Sequence, residues 1–131
     1  MFVDASVIVA ILSNEDGWQR HARKIEFGDL ILTSPIAIWE ATIATTRTKR
    51  LDVQAASTIV DAFLSANRIR TIPITPEIGA LAIEASRRFG RGRHPAALNL
   101  GDCFAYACAK AHGVPLLYKG EDFPQTDIEA G

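Results

Sequence analysis

Four acidic residues stand where an ordinary surface carboxylate is not expected. Asp4 follows at once on the apolar pair Phe2-Val3, and Glu40 adjoins the apolar residues of a helical segment. Asp102 lies in the first turn of an alanine-rich run, and Asp122 comes just past Leu116-Leu117-Tyr118. Two carboxylates about 4 Å apart repel by roughly 4 kcal/mol at an effective dielectric near 20. That is a large share of the about 5–15 kcal/mol that stabilises a domain, so a gathered set of such acids needs a counter-charge. Oxygen donors alone suit a hard cation, Mg²⁺ or Mn²⁺. Ser6, two residues after Asp4, can orient a carboxylate or a bound water. An ion held this way activates water and polarises a phosphoryl oxygen, so the expected chemistry is hydrolysis of a phosphate ester.

Each acid also has a plainer reading. Asp4 can cap the helix that follows it, and Asp102, three residues after Asn99, can complement a helix dipole. Glu40 can be an exposed helix residue, and Asp122 can open a turn. The joint reading rests on position. In a parallel α/β sheet, strand C-terminal ends and helix N-terminal ends share one edge, and ligands bind there. Asp4, Asp102 and Asp122 fall on that edge, within reach of Glu40.

A positive segment precedes Asp102: Arg87, Arg88, Arg91, Arg93 and His94, with no acid among them and with glycines at 90 and 92. Lys119 lies three residues before Asp122. Arginines at a helix end can simply favour its dipole. Beside an acidic, ion-filled pocket, Arg87, Arg91, Arg93 and Lys119 suit contact with a phosphate backbone.

The elements that must position these groups alternate between short β-branched runs and longer helical patterns, an α/β arrangement with a mostly parallel sheet. Strands are expected at Phe2-Val3, 30–32, 69–74 and 114–118, the third interrupted by Pro73, with a possible edge strand in the tail after Asp122. Helices are expected over 6–12, 18–26, 35–50, from Asp52 through Leu64, over 76–89 and over 100–112. Ser34-Pro35 and Thr75-Pro76 are hydroxyl-cap and proline starts, Asn99 caps the last helix, and Gly113 ends it. In the third helix, Ile36, Trp39 and Ile43 are spaced as an inward face.

At 131 residues, 48% hydrophobic and 22% charged, the chain is expected to form one unit over 1–131, and disorder is excluded. A net charge of −1 excludes a polycation, so any nucleic-acid contact must be local. Cys103 and Cys108 are five apart in one helical run, which turns them onto different faces, and His21, His94 and His112 are scattered, so neither a disulfide framework nor a zinc site is expected. The apolar stretch 7–12 is too short to span a bilayer and lacks a preceding basic residue, so a cytoplasmic protein is expected, with no membrane association.

Taken in order, Phe2-Val3-Asp4-Ala5-Ser6, the segment Ser34-Pro35-Ile36-Ala37-Ile38-Trp39-Glu40, the segment from Leu98-Asn99-Leu100-Gly101-Asp102 to Tyr106, and the stretch from Leu116 to Phe123 resemble the PIN-domain ribonucleases, specifically the VapC-type toxins of toxin–antitoxin pairs. The resemblance covers nearly the whole chain. It implies a three-layer α/β/α fold and a Mg²⁺- or Mn²⁺-dependent endoribonuclease with Asp4, Glu40, Asp102 and Asp122 in the acidic pocket; on that reading Asp4 and Asp102 are the expected ligands of the ion. It also implies an RNA substrate, a homodimer, and a cognate antitoxin whose C-terminal segment wraps the toxin. Many PIN domains end the last strand with a hydroxyl residue and place an acid two positions later. Those positions are Tyr118 and Gly120 here, so the fourth acid is expected at Asp122, with Glu121 or Asp127 as substitutes.

Two other classes compete with this one. A phosphatase of the haloacid type needs a second aspartate at position 6, which is Ser6, and a phospho-receiver needs an acidic pair and a phosphoacceptor that the sequence lacks. A non-catalytic RNA- or partner-binding module of the same fold is the remaining alternative.

Overall fold

A computed structural model describes residues 1–131. Its elements, in chain order, are β1 (Phe2–Val3), α1 (Ala5–Leu12), α2 (Trp18–Glu26), β2 (Leu32–Thr33), α3 (Pro35–Lys49), α4 (Val53–Ala66), β3 (Arg70–Thr71), α5 (Pro76–Phe89), α6 (Leu100–His112) and β4 (Leu116–Leu117), followed by a 3₁₀ turn at Phe123–Gln125. The four strands form one parallel sheet in the order β3-β2-β1-β4, flanked by the six helices as a three-layer α/β/α fold. Phe2 is in register with Leu32 on one side and with Leu116 on the other.

That order has a consequence for function. From β1 the chain builds outward through β2 to β3, then returns to the other side of β1 for β4. Strand order therefore reverses between β1 and β4, where a parallel sheet leaves a crevice at its C-terminal edge. Asp4 leaves β1 into that crevice, and the segment Lys119–Asp122 leaves β4 beside it.

The middle strands are apolar because both their faces are covered. Phe2, Val3, Val7, Ile8 and Leu116 are fully buried, within a continuous core that also takes in α5 and α6 through Ala82, Ala85, Ala107 and Ala109. Truncating a buried phenylalanine such as Phe2 typically costs about 3–5 kcal/mol. Helix starts follow their expected caps: Ser34 Oγ accepts the Ala37 N–H at 3.2 Å, Thr75 Oγ1 accepts the Ile78 N–H at 3.2 Å, and Asp52 Oδ1 accepts the Ala55 N–H at 2.7 Å. Gly113 closes α6 at φ +61°, in the left-handed region where glycine carries no Cβ penalty.

The expected strands are longer than those that form. The third shrinks to Arg70–Thr71 and the last to Leu116–Leu117, while the second shifts to Leu32–Thr33. Apolar side chains beyond a strand's ends still enter the core, as Ile69 and Ile72 do, so hydrophobicity runs past the hydrogen-bonded ladder. The tail contributes one parallel bridge, Leu116 to Ala130, rather than an edge strand.

The expected inward face of α3 is also corrected. Its buried residues are Ala37, Ala41, Thr42 and Thr45, and Trp39 is 64% exposed. α3 is packed between α1, α4 and α6. Helices that approach closely need small side chains at the contact, and Thr42 and Thr45 satisfy their hydroxyls on the Ile38 and Ala41 carbonyls. Trp39 and Ile43 are thereby turned toward a surface groove.

Candidate active site

Asp4 is held by its own helix start. It is the N-cap of α1, only 5% exposed, and its Oδ2 accepts both the Ser6 N–H at 3.1 Å and the Ser6 hydroxyl at 2.5 Å. The same hydroxyl oxygen accepts the Lys119 backbone N–H at 3.0 Å. Ser6 thus links the acid after β1 to the loop after β4, across the crevice between the two strands. Burial raises the Asp4 pKa, and the Ser6 bonds offset part of that.

Asp102 is positioned by a capping box. Its Oδ2 accepts the Asn99 N–H at 3.1 Å while Asn99 Oδ1 accepts the Asp102 N–H at 2.9 Å. The capping roles foreseen for Asp4 and Asp102 are therefore real, and they aim each carboxylate while engaging a single oxygen. Partial burial and the Asp4 and Asp122 charges raise Asp102 to about 6, against the opposing pull of its Asn99 bond and of Arg91.

Glu40 faces the same space from α3. Burial, then Asp4, then Asp102 raise its pKa to about 7. Its carboxylate lies against Gly101, where an added Cβ would overlap both carboxylate oxygens. Spacing alone does not point to Gly101. The available signal is a glycine in the first turn of an otherwise good helix, costing about 1 kcal/mol relative to alanine, immediately before an acid.

The charges of Asp4 and Asp102 thus act on Glu40, those of Asp4 and Asp122 act on Asp102, and Arg91 is the one cation that bears on Asp102. Asp122 is exposed, and the loop carrying it is anchored by Phe123, buried against the Tyr118 ring at 5.0 Å. No three acid, cysteine or imidazole side chains are already drawn close enough to chelate one ion together. Two carboxylates completed by water is a common arrangement for Mg²⁺, which keeps several waters, so the residues present fit such an ion.

A family model described as the PIN domain matches residues 1–129. The chain belongs to the PIN-domain family. This PIN domain is 41% identical to a VapC ribonuclease of Rhizobium meliloti over 139 aligned residues, 97% of this chain and 98% of that protein. It is 38% identical to ribonuclease VapC42 of Mycobacterium tuberculosis, over 98% of this chain and 96% of the relative. Among solved structures it is similar to Mycobacterium tuberculosis VapC20, a toxin that cleaves the sarcin-ricin loop. The TM-score is 0.75 at 17% identity, covering 97% of this chain and 95% of that one, which bears on the fold.

The remaining sites expected from the sequence are distributed unevenly around this PIN-domain pocket. The Arg91 charge acts on Asp102, whereas Arg87 is exposed and forked onto Glu84 at 2.6 and 2.9 Å. Arg93 is exposed. His94 serves the loop itself: Nδ1 accepts the Ala96 N–H at 3.0 Å and the ring meets Phe89 edge-on. The Lys119 ammonium pairs with Glu15 at 3.1 Å, so its backbone rather than its charge braces the acids. Asp127, a possible substitute for Asp122, is committed elsewhere. Its Oδ1 accepts the Tyr106 hydroxyl at 2.5 Å, and Arg88 and Lys110 stand 3.5 Å from its Oδ2.

The largest cavity, about 740 Å³, is not at the acids. It opens by Gly28–Ile31 and Ile69–Thr71, where β2 and β3 begin. No helix is long and apolar enough to cross a membrane.

Proposed function

We propose that this protein is an Mg²⁺- or Mn²⁺-dependent endoribonuclease toxin of a toxin–antitoxin pair, acting in the cytoplasm on RNA and restrained by a cognate antitoxin. The observation that carries the reading is the placement of three acids at the β1/β4 crevice: Asp4 buried at the end of β1, Asp102 fixed in the first turn of α6, and the Glu40 carboxylate lying against Gly101 next to Asp102. Full-length similarity to proteins named VapC ribonucleases supports it. Asp4 and Asp102 would hold the ion, each with one oxygen already oriented by a backbone N–H. When bound, the ion supplies Lewis-acid stabilisation of the phosphoryl oxygen and a more acidic water.

The chain's own residues do the rest. Ser6 keeps the Asp4 carboxylate in one orientation. Glu40, raised to about 7, is poised to accept a proton from the attacking water near neutral pH. Asp122 positions water or a second ion, and Arg91, with Arg93, meets the phosphate backbone. Arg87 and Lys119 would reach RNA only by exchanging their present acidic partners for phosphate. We extend the proposal to a homodimer, as the family resemblance implies.

The direct test is incubation of purified protein with end-labelled RNA. Internal cleavage is expected with Mg²⁺ or Mn²⁺ and none with excess chelator. Cutting that continues unabated in chelator, or in Asp102→Asn protein, counts against the proposal.

Gly101→Ala is expected to separate geometry from stability. Alanine favours the helix by about 1 kcal/mol, so the melting temperature holds or rises. The new methyl group displaces the flexible end of Glu40, and Mn²⁺ affinity, measured by calorimetry, falls by about 10-fold, within the range for lost supporting contacts. Unchanged affinity would show that Glu40 does not need its place against Gly101.

A further inference from the structure

An exposed tryptophan stands beside the acids with no structural task. Trp39 immediately precedes Glu40 on α3 and is 64% exposed, although an indole is among the most expensive side chains to leave in water. It lines a groove of about 570 Å³ together with Ser6, Glu40, Ile43, Arg47 and Lys119. That volume lies within the roughly 300–1,000 Å³ typical of small-ligand sites.

The lining is graded. Ala5, Val9, Ile43 and Ala44 add apolar surface, and Glu40 joins the groove to the acidic crevice. Arg47, two helical turns beyond Trp39, is exposed and in no ion pair; Lys119, on the β4 side, is shared with Glu15. An occupant that reaches the acids therefore passes an aromatic face, an apolar surface and a free guanidinium.

Unpaired RNA bases have this chemistry: a flat π-face to stack on an indole, linked to phosphates that pair with cations. On the nuclease reading, which this inference deepens, we infer that Trp39 and its groove form a stacking subsite for one unpaired nucleobase flanking the scissile phosphate. Arg47 meets the adjoining backbone. Stacking accepts any base, so the subsite selects single-stranded over paired RNA rather than a sequence. A polypeptide is the other conceivable occupant, because Trp39 also borders a smaller groove of about 390 Å³ with Ile38 and Val53. The uncompensated Arg47 and the continuity with the acids favour the nucleotide.

The test needs no cleavage. Asp4→Asn protein carrying Trp18→Phe, in chelator, leaves Trp39 as the single emitting indole. A fluorescently end-labelled hexauridylate is expected to quench that emission saturably. By anisotropy, Trp39→Ala in the same background should bind it 5- to 50-fold more weakly, Trp39→Phe should recover much of the loss, and circular dichroism should show the fold unchanged. An abasic ribose-phosphate hexamer should bind both proteins alike. Equal affinity of the parent and Trp39→Ala for hexauridylate overturns the inference. So does a Trp39→Ala defect confined to the cognate antitoxin, which would make this face a protein-docking site. Trp39-dependent binding in a protein that cuts no RNA with either ion would support the subsite and reject the nuclease, so the two failures are distinguishable.

Discussion

Asp4→Asn protein is expected to fold as well as its parent and to lose RNA cleavage by at least about 100-fold. The size follows from what lesser changes do: removing a group that merely supports a metal ligand commonly costs about 10–100-fold, and Asp4 is the proposed ligand itself. Retention of the fold follows from geometry. Asparagine caps helices as well as aspartate does, and its carbonyl oxygen accepts the two Ser6 bonds that now end on Oδ2. The substitution also deletes a buried charge whose burial raises its pKa and which repels Glu40 and Asp102, so the melting temperature should hold or increase. A gel assay in Mn²⁺ and a thermal melt check both halves. Activity within tenfold of the parent would remove Asp4 from the metal site.

The second large effect is an inverted dependence of stability on pH. In chelator, the protein is expected to melt at progressively lower temperature as pH rises from about 5 to 8. The sign comes from Glu40, raised from 4.5 to about 7, and Asp102, raised from 3.8 to about 6. A carboxyl whose folded pKa exceeds its unfolded value binds protons more tightly when folded, so its stabilisation is complete below about pH 4 and lost as pH climbs through the folded value. Each full pKa unit is worth about 1.4 kcal/mol, but both groups are partly solvated and titrate together. Screening leaves about 2–3 kcal/mol for the pair, or about 5–10 °C in a domain of this size. Mn²⁺ should restore the loss at pH 8 and do little at pH 5, where protons compete for the same oxygens. A melting temperature that rises steadily to pH 8 in chelator, or a Mn²⁺ shift equal at both pH values, would contradict a gathered acidic site.

Much of the architecture is legible before any coordinates. Ser34-Pro35, Thr75-Pro76, Asn99 with Asp102, and Gly113 announce helix ends through local hydrogen bonds, and each such end forms as read. The apolar pair Phe2-Val3 followed by an acid marks the centre of the sheet and its functional edge. Strand lengths are less legible, because a strand ends where its neighbour stops offering partners, which is a property of two segments.

The site divides in the same way. Residue chemistry and family resemblance single out Asp4, Glu40, Asp102 and Asp122, since carboxylates next to buried strands and helix starts are costly without a purpose. That Asp127 is spoken for by Tyr106, Arg88 and Lys110, that Arg87 is paired with Glu84, and that Trp39 faces outward are decided by tertiary structure alone. Periodicity records that Ile36, Trp39 and Ile43 share a side of α3. It cannot record that α1, α4 and α6 crowd the other side so closely that alanines and threonines must fill it. Composition and local pattern determine what this chain needs to bury, cap and neutralise; only packing, which brings together Ser6 and Lys119 from 113 positions apart, determines which groups remain free to act.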